Sequence, residues 1–89
     1  MFYATKDPSA TLDYTFDYSE WLPTGSTIAT STWSVPSGLT KVAESNTTTT
    51  ATVRISGGTV RNDYSVVNRI TTSAGEIEER TLILTIKQT

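Results

Sequence analysis

The chain has 89 residues with no cysteine and no histidine, and seven Lys+Arg against nine Asp+Glu give a net charge of −2. This length suits one domain with a modest core, burying about 60–65% of the surface of its unfolded chain. The missing residue types exclude a disulfide framework, thiolate and imidazole metal sites and a Ser-His-Asp triad, and the even charge balance lacks the clustered basic face that nucleic acid requires.

Along the chain the dominant period is two. The opening segment, Met1-Phe2-Tyr3-Ala4-Thr5-Lys6-Asp7-Pro8, has neither a basic n-region nor an apolar h-region, so no signal-directed secretion is expected. It reads either as a first strand at 2–5 or as an N-terminal arm (residues 1–8) of a single domain spanning 1–89. Leu12, Tyr14, Phe16 and Tyr18 then alternate with Asp13, Thr15 and Asp17. Such alternation marks a half-buried strand, because successive side chains point to opposite faces. Ser19-Glu20-Trp21-Leu22, ended by Pro23, is the best candidate for a single helical turn. A third run over 27–35 carries Trp33 and stops at Pro36-Ser37-Gly38. A fourth strand is expected at 40–45. Thr47–Thr50 reads as a β-turn leading into a fifth strand over 49–56, where Ala51, Val53 and Ile55 alternate with Thr52, Arg54 and Ser56. Gly57-Gly58 supplies a turn that requires positive φ. Tyr64, Val66, Asn68 and Ile70 define a sixth strand over 63–72. Ser73-Ala74-Gly75 closes a hairpin onto a seventh over 77–87, with Arg80, Leu82, Leu84 and Ile86 in phase. The 19 Thr and 10 Ser fall mostly on outward positions of these runs, where a β-branched residue fits the pleat.

Seven short strands with regular turns predict an all-β, immunoglobulin-like antiparallel β-sandwich. Trp33 on the third strand occupies the central position of such folds. Tyr64, opening the sixth strand, has the place of a tyrosine corner, whose hydroxyl bonds to backbone upstream. The expected core is Tyr14, Phe16, Trp33, Val53, Ile55, Tyr64, Val66, Ile70, Leu82, Leu84 and Ile86. With no inter-sheet cysteines, apolar packing alone is expected to join the sheets.

No catalytic residue stands out. Asp13 and Asp17 share a strand face but lie about 13 Å apart, too far for one metal or for a glycosidase pair. Glu76, Glu78 and Glu79 lack the spacing of a calcium loop and read as a solvated edge. The hydroxyls have no activating base. No metal, cofactor or enzymatic activity is therefore expected, and no window approaches the roughly 20 apolar residues of a membrane helix. Residues 1–30 hold one base, Lys6, and four acids, Asp7, Asp13, Asp17 and Glu20. Phe2, Tyr3, Trp21 and Leu22 either cap the ends of the sandwich or anchor a partner, since aromatic residues dominate interfaces. Val67 and Ile83, on neighbouring strands, point away from the core and form an apolar outer pair.

Lys6-Asp7-Pro8, the segment from Leu12-Asp13-Tyr14 to Trp21-Leu22, and Thr32-Trp33-Ser34-Val35-Pro36 resemble a family of short tailed-phage and prophage virion proteins, the fiber–tail adaptor or Ig-like neck type. The likeness continues through Ser56-Gly57-Gly58-Thr59 and Asn68-Arg69-Ile70-Thr71-Thr72 to Glu79-Arg80-Thr81-Leu82, covering roughly residues 6–85. Tyr18 stands where many relatives carry Trp. The resemblance implies a non-enzymatic structural part, made in the host bacterial cytoplasm and present in several copies on the virion. It implies docking to tail, neck, portal-proximal or capsid proteins. Head decoration and carbohydrate or host binding, with Tyr18 and Trp21 stacked on a sugar, are the alternatives.

Overall fold

The computed structural model describes residues 2–88; Met1 and Thr89, which the expected 1–89 domain includes, lie outside the described residues. Seven strands form: β1 Phe2–Lys6, β2 Leu12–Asp17, β3 Ile28–Ser34, β4 Leu39–Asn46, β5 Thr50–Gly57, β6 Asp63–Thr72 and β7 Ile77–Ile86. Each overlaps an expected run. One sheet has the order β1-β7-β6-β3 and the other β2-β5-β4. The third, sixth and seventh strands on one sheet and the second, fourth and fifth on the other give the immunoglobulin-like sandwich. Residues 2–6 are a paired strand, parallel to β7, while the remaining pairings are antiparallel.

The expected turns form with their own hydrogen bonds. Ser19–Leu22 makes one turn, with Trp21 and Leu22 both donating to the Tyr18 carbonyl at 3.0 and 2.9 Å. Thr47 closes the β4–β5 hairpin, its Oγ1 accepting the Thr49 and Thr50 N–H groups at 3.2 and 3.0 Å. Gly58, at φ 103°, has no room for a side chain: a Cβ there would stand 2.6 Å from Ile86 Cδ1. The Tyr64 hydroxyl accepts the Thr59 N–H at 3.1 Å, the upstream backbone contact of a tyrosine corner.

Two bulges correct the simple period-two reading. Ile28 and Trp33 are an odd number of residues apart, yet both are buried. The register shift between Ile28 and Thr30 makes this possible by adding one unpaired residue to β3. A second shift between Lys41 and Ala43 brings Lys41 and Glu44 to the same, inward side of β4. There they form an ion pair at 2.9 Å. Lys41 Nζ also donates to the Trp33 carbonyl at 3.2 Å, and Glu44 Oε2 accepts the Trp33 N–H at 3.2 Å. The open edge of β3 is thus occupied by inward charges on β4, a device that blocks pairing with another chain.

The core centres on Trp33, stacked on Phe16 with ring centroids 5.2 Å apart. Val53, Ile55, Val66, Ile70, Leu82, Leu84 and Ile86 are buried around this pair, and Tyr14 and Tyr64 pack at its margin half-buried. Tyr18, Ile28, Leu39 and Ala51 join the core beyond the residues expected there. Apolar packing does not join the sheets alone. Tyr18, just after β2, is fully buried and its hydroxyl donates to Asn68 Oδ1 on β6 at 2.7 Å. Asn68 Nδ2 donates in turn to Ser31 Oγ at 3.0 Å and the Thr32 carbonyl at 3.2 Å. At the other end Lys6, 2% exposed, donates to the Asp7 and Gly57 carbonyls at 2.8 and 2.7 Å. Desolvation pulls its pKa below the ordinary lysine value, with nearby Asp7 opposing the shift.

Tyr18→Phe removes the donor and leaves a buried carbonyl oxygen unsatisfied, with an expected loss of about 1–3 kcal/mol in urea unfolding. Burial pushes the Tyr18 phenol up to about 12, against an ordinary value of 10.0. A folded-state pKa raised in this way gives stability that is intact below the unfolded value and lost as pH rises through the folded one. Wild type should therefore lose more stability than Tyr18→Phe between about pH 10 and 12, read from urea midpoints across that range.

Candidate functional site: docking surfaces

The six aromatic and aliphatic candidates do not form one site. Three share the outer face of the larger sheet. Tyr3 on β1 is 74% exposed and lies in register with Ile83 on β7, which lies in register with Ser65 on β6. Val67, two residues along β6, lies between Thr81 on β7 and Ser34 on β3. Val67 and Ile83 are half-buried on this face. Hydroxyl residues therefore flank a small apolar strip, and the nearest charges, Arg69 opposite Glu79 and Asp63 opposite Thr85, sit one step beyond.

The other three belong to the opposite side and end of the molecule. Phe2 is in the inward phase of β1 and rests on Phe16 with centroids 4.9 Å apart, yet stays 43% exposed. Trp21 and Leu22 are half-buried against the core, and the Trp21 ring meets the edge of Tyr18 at 6.1 Å. These two cap one end of the sandwich. Tyr18 itself is fully buried, which overturns the reading in which it stacks on a sugar.

The acidic candidates are engaged within the fold. Asp13 takes a two-pronged ion pair from Arg54 across β2 and β5, at 2.8 and 3.3 Å. That hydrogen bond, with the guanidinium charge behind it, holds its carboxyl below the usual range. Asp17 accepts the Ser19 N–H at 2.9 Å, which likewise lowers its pKa, with help from Arg80. Among the described residues no group of His, Cys, Asp or Glu could hold a metal ion.

Arg80 is the residue that the sequence reading passed over. Its guanidinium lies 4.2 Å from the Tyr18 ring centroid and 5.8 Å from that of Phe2, within cation–π range of both. Its Nη1 donates to the Asp17 carbonyl at 3.3 Å. A usable signal was present, since Arg80 stands in the inward phase of β7, where a cation needs a partner.

This arrangement defines a small all-β module whose distinctive surfaces are aromatic and aliphatic rather than chemically reactive. The chain belongs to a phage family: the family model described as podophage GP4 fiber-tail adaptor protein gp77 matches residues 6–85. No individual curated protein matches it. Membership makes this a structural component of the phage tail.

The Lys41–Glu44 pair guards the β3 edge, so Lys41→Ala/Glu44→Ala should leave the Trp33 backbone groups open. The expected result is concentration-dependent association in sedimentation velocity, absent in wild type.

Proposed function

We propose that this protein is a non-enzymatic adaptor of the virion, made in the host bacterial cytoplasm and holding a fiber to the tail in several copies per particle. The family match carries the reading. The mechanism is docking of a rigid surface, and the outer strip of Tyr3, Ile83 and Val67 is the first contact. Sheet residues hold these side chains in fixed positions, so little ordering entropy opposes binding. An apolar centre with a hydroxyl rim is the anatomy of a protein interface. Head decoration would require attachment across the capsid shell, which the family description does not suggest.

The test is complementation of a phage lacking the gene. Wild-type protein should restore fibers, counted by electron microscopy, and infectivity. Ile83→Asp and Val67→Asp should remain folded by circular dichroism yet enter particles at least about tenfold less well, the size of one lost interface anchor. Full fiber complement on particles lacking the chain would overturn the adaptor reading. Normal incorporation of both variants would move the contact elsewhere.

A further inference from the structure

All five glycines of the chain adopt positive φ. Among the described residues only one other does, Arg61 at φ 73°. Its place calls for glycine on two counts. The Asn62 N–H donates to the Thr59 carbonyl at 3.1 Å, so Thr59–Asn62 is a tight turn with the positive φ in its third position, the type II arrangement. The Arg61 N–H donates to the Ile86 carbonyl at 2.9 Å, and the Asn62 carbonyl accepts the Ile86 N–H at 3.1 Å. Two residues thus face one, a bulge whose left-handed first residue is ordinarily glycine. A β-carbon in that conformation crowds the following carbonyl, so an arginine here works against the fold.

No contact of the side chain offsets that cost. Lys6, Lys41, Arg54 and Arg80 are each bonded within the fold, and Arg69 lies in register with Glu79. Among the described residues the side chains of Arg61 and Lys87 have no hydrogen bond, ion pair or ring contact, and both residues are exposed. With Val60, Thr85, Ile86 and Gln88 they line a recess of about 360 Å³ at the end of β7. Two cations and no carboxylate therefore line it. Of the acids close in the chain, Asp63 accepts the Thr85 hydroxyl at 2.7 Å and Asp7 accepts the Ser9 N–H at 2.8 Å. Thr85 follows Ile83 in the outward phase of β7, about 7 Å along, so the recess adjoins the outer strip.

We infer that Arg61 is a partner-binding residue: with Lys87 on the same recess, it receives an aspartate or glutamate of the virion protein that seats on the outer strip. A guanidinium presents a planar fork that matches a carboxylate with two parallel N–H···O bonds. The turn that carries it is clamped to Ile86 by two backbone hydrogen bonds, so the side chain starts from a fixed base and less ordering opposes binding. Duplex DNA, the other polyanion of a virion, requires a clustered basic face, which two cations on a chain of net charge −2 do not make. The inference rests on the adaptor reading and gives the apolar strip a charged neighbour that fixes the partner's orientation.

The test is binding of purified protein to particles made without it, at low and high salt, beside urea unfolding of the free protein. Wild type should bind, and more weakly as salt rises. Arg61→Gly should hold or raise the urea midpoint, while its binding at low salt falls roughly tenfold and depends less on salt, the size of one lost charge-assisted pair. Lys87→Gln should leave the midpoint unchanged and weaken binding in the same sense. A lowered midpoint for Arg61→Gly would mean that Arg61 serves the fold, and wild-type binding by that variant would mean that it serves no partner. Either result overturns the inference and leaves the adaptor reading intact. Failure of wild type to bind would remove the adaptor reading, and this inference with it. Release of bound wild type by duplex DNA would overturn the carboxylate assignment. If wild type self-associates in sedimentation and Arg61→Gly abolishes this, the occupant is a second copy and the partner assignment fails.

Discussion

The fold depends on how two small sheets are held together without a covalent bond. In antibody-type sandwiches a disulfide joins the second and sixth strands beside the central tryptophan. Here Tyr18, following the second strand, reaches Asn68 on the sixth with a hydrogen bond of 2.7 Å. A single hydrogen bond is net stabilising by only about 1 kcal/mol, but an unmatched buried group costs more than that. The network therefore fixes the register of the sheets rather than supplying most of their attraction. Phe16 on Trp33, with the buried aliphatic residues around them, supplies that.

The same tie organises the surface. Because the Tyr18 ring is held in place, its face is available to Arg80, and Arg80 is held against Asp17 and Phe2. An arginine in an inward phase is therefore stacked on rings, with its charge also acting on the Asp17 carboxylate. The polar network in the core and the charge pattern at the open side are one chain of contacts.

The asymmetry of the two lateral sides gives the module its character. A sandwich of this size has four sheet edges, each a liability for uncontrolled pairing. The β3 edge is shut by inward charges, while the β1–β2 side is bridged by Tyr14 Oη donating to the Thr5 carbonyl at 3.3 Å and by Phe2 resting on Phe16. A structural phage protein needs such selectivity, because an adaptor that pairs through every edge would aggregate before it assembled. The outer strip on the larger sheet and the open β1–β2 side lie on different sides of the fold.

The strand runs were legible from the sequence because alternation is a local property: it needs only the two-residue repeat of a pleated backbone and the burial of one face. Trp33, Tyr64, the Ser73-Ala74-Gly75 hairpin and the turn at Thr47–Thr50 followed from the same local chemistry. The bulges did not, because they insert a residue only with reference to a partner strand, and so Ile28, Lys41 and Glu44 could not be given their faces. Tyr18 and Asn68 could not be joined for a related reason: fifty residues separate them, and only the packing of one sheet on the other brings a hydroxyl and an amide together. Sequence alone determined which segments are strands and which chemistry is excluded. The tertiary structure decided which edges are closed, where Arg80 is held and which side remains open, since each depends on contacts between strands far apart in the chain.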